Sequence, residues 1–87
     1  MAVRGYVLIE TEVGTAKAVA EKLNELAHND TRVTDVDTVT GPFDVIAMLQ
    51  APDLNNLGSC ITEAIQTVPG VKRTTTCLSI ALDLDAD

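Results

Sequence analysis

The stretch that decides the fold is TVTGPFDVIAML, residues 38–49. Its second half opens a nearly continuous apolar run, FDVIAMLQA (43–51), which is typical of a central strand in a sheet. Its first half closes RVTDVDTVT (32–40), a segment rich in Val and Thr that predicts a half-exposed strand near an edge. Because Gly41-Pro42 stands between the two runs, the stretch predicts a β-hairpin.

The Gly41-Pro42 turn differs from a tight two-residue hairpin. Such a hairpin needs positive φ at both central residues, whereas the proline ring holds φ near about −65°. A residue before proline is pushed away from helical backbone, so Gly41 is expected in an extended or glycine-only conformation. We therefore expect an open loop with an accessible Gly41 amide. Asp44 follows this loop, at the point where an apolar strand should begin.

The flanking sequence predicts four further elements. Apolar runs rich in β-branched residues indicate strands, and apolar residues spaced three and four apart indicate amphipathic helices. By these patterns the elements are a strand at 3–10, a helix at 15–27, a helix at 54–68 and a strand at 71–84. Asp53 is a candidate N-cap for the second helix.

The resulting β-α-β-β-α-β order predicts an α+β fold of the ferredoxin-like type. In that fold a four-stranded antiparallel sheet carries both helices on one face, and residues 1–87 would form a single domain. The chain is 46% hydrophobic but has only one Phe and one Tyr, so its core is aliphatic. We expect the helix-free face of the sheet to be covered by a second subunit, which would give a dimeric α/β sandwich.

The charge of the chain argues against two classes of partner. Its net charge is −7, and its six Lys and Arg residues are scattered rather than clustered. Such a surface disfavours direct binding of nucleic acid and adsorption to an anionic membrane. The N-terminal segment has neither the pattern of a signal peptide nor that of a membrane span, so the chain is interpreted as cytoplasmic.

The sequence offers no catalytic or metal-binding constellation, and we expect neither an enzyme nor a cofactor. His28 is the single histidine and is interpreted as a solvated turn residue. Cys60 and Cys77 are interpreted as buried thiols of a reduced compartment. Asp35 and Asp37 lie two apart on a strand and share a face. They can bind a cation or act in acid–base catalysis, but on an edge strand such residues more often keep that face solvated.

A few polar residues occupy positions at which the predicted fold does not require a polar side chain. Asp44 begins an apolar strand, and Thr74 and Thr76 lie on one face of the last strand. Together with the open Gly41 amide, these groups suit a zwitterion. An ammonium group would go to Asp44, and a carboxylate to threonine hydroxyls and backbone N–H groups.

Three long segments resemble the effector-binding domain of the leucine-responsive (Lrp/AsnC) regulators, also called the regulation-of-amino-acid-metabolism domain. They are YVLIETEVGTAKAVAEKL (6–23), VTDVDTVTGPFDVIAMLQAPDLNNLG (33–58) and ITEAIQTVPGVKRTTTCLSI (61–80), of which TGPFDV (40–45) and IQTVPGVKRTTT (65–76) are the most specific parts. The resemblance implies a ferredoxin-like βαββαβ fold whose sheets pair face to face in a dimer. It also implies that dimers assemble into rings, often octamers, with small effectors, typically amino acids, bound between neighbouring dimers.

The resemblance also implies a set of site residues. These are the loop residues Thr40, Gly41, Pro42, Phe43 and Asp44, and the last-strand residues Thr74 and Thr76. Many relatives have tyrosine at the position of Phe43, so one ligand contact of the family is missing here. Met48 and Leu49 are interpreted as core.

The regulators of this family carry an N-terminal helix-turn-helix domain, for which these residues leave no room. We therefore expect a stand-alone effector module that assembles with itself and with full-length Lrp/AsnC regulators. Two alternatives stay open at this point. One is a dimeric ferredoxin-like enzyme, such as a cofactor-free monooxygenase or isomerase, and the other is a purely structural assembly module.

Overall fold

The computed structural model describes residues 2–80, which form one antiparallel sheet with two helices packed on one of its faces. In chain order the elements are β1 (Val3–Thr11), α1 (Ala16–Asn24), β2 (Ala27–His28), β3 (Thr31–Thr38), β4 (Val45–Ala51), α2 (Leu54–Cys60), a π-helical segment (Ile61–Ile65) and β5 (Val71–Leu78). The strand order across the sheet is β2-β3-β4-β1-β5. The α+β, ferredoxin-like fold predicted from the sequence is therefore confirmed.

The sheet has five strands rather than the four expected, because the first helix is shorter than its apolar pattern indicated. Helix α1 ends at Asn24, and the two residues of β2 then pair with the start of β3. Asn29 and Asp30 make this possible, since both adopt positive φ, 50° and 60°. Asn and Asp tolerate left-handed backbone better than other non-glycine residues, so they form a tight two-residue hairpin.

The core lies between the helices and one face of the sheet. Strand β1 contributes Val7 and Ile9, and β4 contributes the alternate residues of its apolar run, so both strands follow the period of two that a half-buried strand requires. The fully buried helix residues Leu23 and Leu57 pack against them. Each fully buried aliphatic side chain of this kind stabilises the fold by about 1.5–3 kcal/mol.

The opposite face of the sheet carries no helix. On it Leu8 stands opposite Ile46, and Tyr6 stands between Met48 and Cys77. These residues are half-buried except Cys77, which is exposed. The expectation of a buried Cys77 was therefore wrong for the single chain, whereas Cys60 is buried as expected. The structure thus leaves an apolar patch at the centre of this face.

The same face carries Asp35 and Asp37. They pair with Met48 and Ile46 of β4, so the two carboxylates share a face as the strand pattern predicted. Both are exposed, and they border the apolar patch on the β3 side.

Several element boundaries differ from the predicted ones. The strand after the loop begins at Val45, so Asp44 precedes the strand instead of beginning it. The second helix starts as expected, with the Asp53 carboxylate accepting a 2.8 Å hydrogen bond from the Asn56 N–H, but it continues beyond Cys60 as a π-helical segment. Strand β5 ends at Leu78, and the last predicted strand residues, 81–84, lie outside the described range.

Candidate functional site

The loop before β4 has the open geometry expected of it. Gly41 adopts φ +139°, a conformation that L side chains rarely adopt, so glycine is required there by the backbone alone. Thr40, Gly41 and Pro42 are exposed, whereas Phe43 and Asp44 are half-buried. The Val39 N–H donates to the Asp44 carbonyl at 2.9 Å and closes the base of the loop.

Asp44 has structural partners that the sequence did not reveal. Its backbone N–H donates to the Ile9 carbonyl at 2.8 Å, and its Oδ2 accepts a 2.8 Å hydrogen bond from the Thr11 N–H. The carboxylate therefore fixes the end of β1. A carboxylate accepts about four hydrogen bonds in all, so this single bond leaves acceptor capacity for a ligand ammonium.

Thr74 lies at the same end of the sheet as the loop. Ile9 pairs with Val45 on one side and with Thr74 on the other, and we call this end the loop end of the sheet. Thr74 is half-buried on the helix-bearing face, where its Oγ1 accepts a 3.0 Å hydrogen bond from Nε2 of Gln66. The structure thus brings the loop and Thr74 together at one end of the sheet.

Thr76 lies on the same face of the sheet as Thr74 but farther from the loop end. It pairs with Val7 and is exposed. Two residues of strand separate it from Thr74, which corresponds to roughly 7 Å. Of the two threonines, Thr74 is therefore the nearer to the loop.

A cleft beside Thr74 contains residues that the sequence reasoning missed. It has a volume of about 370 Å³ and is lined by Gln66, Val71, Lys72, Arg73 and Thr74. We call it the β5 cleft. No spacing rule connects Gln66 with Thr74, because they meet only through the chain reversal at residues 69–70.

His28 is not the solvated turn residue that was expected. Its Nε2 lies 3.0 Å from Oε1 of Glu63, and Ser59 donates a 3.0 Å hydrogen bond to the same oxygen. The hydrogen bond with His28, followed by that from Ser59, lowers the pKa of Glu63. Since the Ser59 hydroxyl is directed at Glu63 rather than at His28, the trio lacks the arrangement that activates a serine nucleophile. It instead ties the β2–β3 hairpin to the second helix.

Residues 2–80 contain neither a metal-binding cluster nor a membrane-spanning helix. No group of three or more His, Cys, Asp or Glu side chains within this range could hold a metal ion. Over the same range, no helix has the length and apolar character needed to cross a membrane.

The family assignment rests on a match over nearly the whole chain rather than on one motif. The family model described as the Lrp/AsnC ligand binding domain matches residues 4–82. The chain therefore belongs to the Lrp/AsnC ligand-binding domain family, a family of regulatory domains, which points away from enzymatic activity. Among curated protein sequences no match was found.

Solved structures show the same fold. The protein TTHA0845 from Thermus thermophilus is 31% identical with a TM-score of 0.81, and the match covers 92% of this chain and 95% of that one. FFRP-DM1 is 29% identical with a TM-score of 0.80, over 90% of this chain and 99% of that one. Both are short chains that this protein spans almost completely.

A longer protein has the same fold in part of its chain. The transcriptional regulator NMB0573 from Neisseria meningitidis, solved as a complex with L-Met, is 12% identical with a TM-score of 0.76. The match covers 91% of this chain but only 50% of the regulator.

Proposed function

We propose that this protein is an effector-binding module of the Lrp/AsnC family that binds a small ligand, an amino acid, and regulates transcription or metabolism indirectly. The observation that carries the proposal is the convergence of the Gly41 loop, Asp44 and Thr74 at the loop end of the sheet. The chain is matched over nearly its whole length by a ligand-binding family, so a ligand site is expected in it.

The chemistry of the loop end suits an α-amino acid. Asp44 supplies a carboxylate for the ligand ammonium, and Thr74 and Thr76 supply hydroxyls for the ligand carboxylate. Gly41 has no side chain, and apart from its two chain neighbours none of the described residues lies within 4 Å of where its Cβ would be, so a ligand can approach its backbone closely. Pro42, Phe43 and Thr40 complete the rim.

The regulator NMB0573 supports the choice of ligand class, because it was solved with L-Met bound. Phe43 carries no hydroxyl, so the ligand need not offer a polar group to that side of the loop.

The site is proposed to work in a homo-oligomer located in the cytoplasm. The apolar patch around Leu8 and Ile46 is the surface we assign to a dimer, in which two sheets face each other. Dimers would assemble into an octamer-like ring with ligands at the subunit interfaces. With a net charge of −7, the chain is expected to act through full-length regulators of its family rather than through direct contact with DNA.

Ligand binding would regulate by favouring one assembly state. A ligand shifts an equilibrium only by its difference in affinity for the two states, so a site between subunits is well placed to do this. No catalytic step is assigned to any residue.

Calorimetric titration of the purified chain with each of the twenty amino acids tests the proposal directly. Light scattering before and after ligand addition counts the subunits. We expect at least one amino acid to bind and to change the oligomer distribution. If none binds and the assembly does not change, the proposal is wrong.

A further inference from the structure

Lys72 occupies an irregular position in β5. Glu10 of β1 pairs with Arg73, whereas the next residue, Thr11, pairs with Val71. Lys72 therefore has no partner on β1 and forms a β-bulge. Bulges bend the strand and redirect side chains, and they are over-represented beside binding and active sites.

The redirected lysine lines the β5 cleft together with Gln66 and Thr74. The Gln66 side-chain amide has two N–H groups, and one of them donates to the Thr74 hydroxyl at 3.0 Å. That bond holds the amide in place and leaves its second N–H available. The residues that line the cleft thus carry an ammonium group, an amide donor and a hydroxyl, which is a set of groups suited to an anion.

The charges around the cleft strengthen this interpretation. Arg73 is shared with Glu10, whose Oε2 lies 3.8 Å from the guanidinium, so its charge is partly balanced. Among the described residues no carboxylate lies within 4.0 Å of the Lys72 ammonium. The positive charge of Lys72 is therefore not balanced by an ion pair within the described residues.

The cleft and Asp44 lie on opposite sides of the end of β1. Asp44 accepts from the Thr11 N–H, and Thr11 pairs with Val71, the neighbour of Lys72. Adjacent strands are about 4.8 Å apart, so the backbones at Asp44 and Lys72, on the two sides of β1, are roughly 10 Å apart, and their side chains reach toward each other over the end of β1. A small zwitterion placed across the end of β1 would meet opposite charges at its two ends.

From this arrangement we infer that the β5 cleft is the carboxylate subsite of the effector site, with Lys72 and Gln66 as ligand-contacting residues beside Thr74. The inference rests on the proposed function for the identity of the ligand as an amino acid. It goes beyond that function in assigning the two ends of the ligand to two sides of β1. It also predicts that a carboxylate without an ammonium group binds in the cleft.

Two fragments of leucine test the carboxylate and the ammonium of the ligand separately. One is 4-methylpentanoate, which has the carboxylate but no ammonium, and the other is 3-methylbutylamine, which has the ammonium but no carboxylate. The full chain, labelled with ¹⁵N, is titrated with each fragment and with the amino acids, and amide shifts are followed. We expect the carboxylate fragment to shift the Gln66 side-chain amide and the backbone amides of 71–74, and the amine fragment to leave them in place.

Variants test the role of the charge. Lys72→Met keeps an unbranched side chain that is one atom shorter and removes the ammonium, and it is expected to weaken binding of the carboxylate fragment about tenfold through loss of a charge-assisted hydrogen bond. Lys17→Met is the matched control, because Lys17 is an exposed lysine on α1 that does not line the β5 cleft. Gln66→Leu should weaken binding by a smaller factor. Circular dichroism confirms that each variant is folded.

The outcomes distinguish this inference from the proposed function. If an amino acid binds but Lys72→Met and Lys17→Met have equal affinity, the carboxylate subsite is wrong while the sensor function stands. If no amino acid binds but the carboxylate fragment still shifts 71–74 and requires Lys72, the cleft is confirmed as a carboxylate site and the sensor function is wrong. Shifts confined to other parts of the chain, or no shift with any probe, overturn the subsite.

Discussion

The Thr11 N–H donates a 2.8 Å hydrogen bond to Oδ2 of Asp44, joining the loop before β4 to the end of β1. This end of β1 is also where its pairing with β5 becomes irregular, between Glu10 and Thr11. Asp44 therefore has a structural role in addition to the one proposed for it in the ligand site. The two roles depend on different properties of the side chain, since the hydrogen bond needs an acceptor oxygen and the ligand ammonium needs a negative charge.

Replacing Asp44 by Asn and by Ala separates these two roles. Asn retains an acceptor oxygen for the Thr11 N–H, so Asp44→Asn should keep most of the stability while losing ligand affinity. Asp44→Ala leaves the N–H without its partner and should lower the free energy of unfolding by about 1–2 kcal/mol as well. Urea denaturation gives the stability and calorimetry gives the affinity.

Glu21→Gln is the control for this pair, because Glu21 is an exposed carboxylate on α1, on the face of the sheet opposite to the apolar patch. It should change neither quantity. The ammonium assignment is wrong if Asp44→Asn binds the amino acid as tightly as the wild type.

The parts of the fold that could be predicted from sequence are those set by local rules. The hairpin around Gly41-Pro42 follows from backbone restrictions of two adjacent residues, and φ +139° at Gly41 confirms it. The Asp53 cap acts on a residue three positions away, so it too was predictable. Alternation of apolar residues located the central strands because their period is fixed by strand geometry.

The features that could not be predicted depend on contacts between distant parts of the chain. Thr11 and Asp44 are 33 positions apart, and His28 and Glu63 are 35 apart. The bulge at Lys72 arises from the pairing register of β1 with β5, which no property of the lysine reveals. The early end of α1 was missed for a related reason, because pairing of β2 with β3 overrides a continuing apolar pattern.

The same substitution should have opposite effects at two glycines. At Gly70, with φ +99°, an added Cβ would lie 2.8 Å from Oγ1 of Thr15 and 3.0 Å from Cγ2 of Val19, so Gly70→Ala should cost about 3 kcal/mol of stability. At Gly58, within α2, the added Cβ meets none of the described residues within 4 Å apart from its chain neighbours and the backbone of its own helix, and Gly58→Ala should stabilise by about 0.5–1 kcal/mol. Urea midpoints measure both, and equal effects at the two sites would contradict the packing described at Gly70.

The interaction of His28 with Glu63 should make stability depend on pH in the acidic range. The hydrogen bond with His28, and then that from Ser59, holds the pKa of Glu63 below its ordinary value of 4.5. A group whose pKa is lower in the folded state contributes stability that is present above its unfolded-state pKa and is lost as pH falls through the folded-state value. Because Glu63 is exposed, the contribution is small.

We therefore expect the urea midpoint of the wild type to decline below about pH 4.5 more steeply than that of Glu63→Gln. Glu21→Gln, at an exposed position on α1, should retain the wild-type acid dependence. Identical acid profiles for Glu63→Gln and the wild type would show that the hydrogen bonds with His28 and Ser59 do not persist in solution.

The apolar patch on the helix-free face gives a test of the proposed dimer. Leu8→Asp places a carboxylate opposite Ile46 at the centre of the patch, and in a symmetric dimer the change enters the interface twice. Burial of an unpaired charge is costly, so the dimer dissociation constant should rise by at least about a hundredfold.

Val13→Asp is the control, since Val13 is 101% exposed in the loop between β1 and α1. Sedimentation equilibrium should give a monomer for Leu8→Asp and a dimer or larger assembly for Val13→Asp. If Leu8→Asp sediments like the wild type, the subunits do not associate through this face.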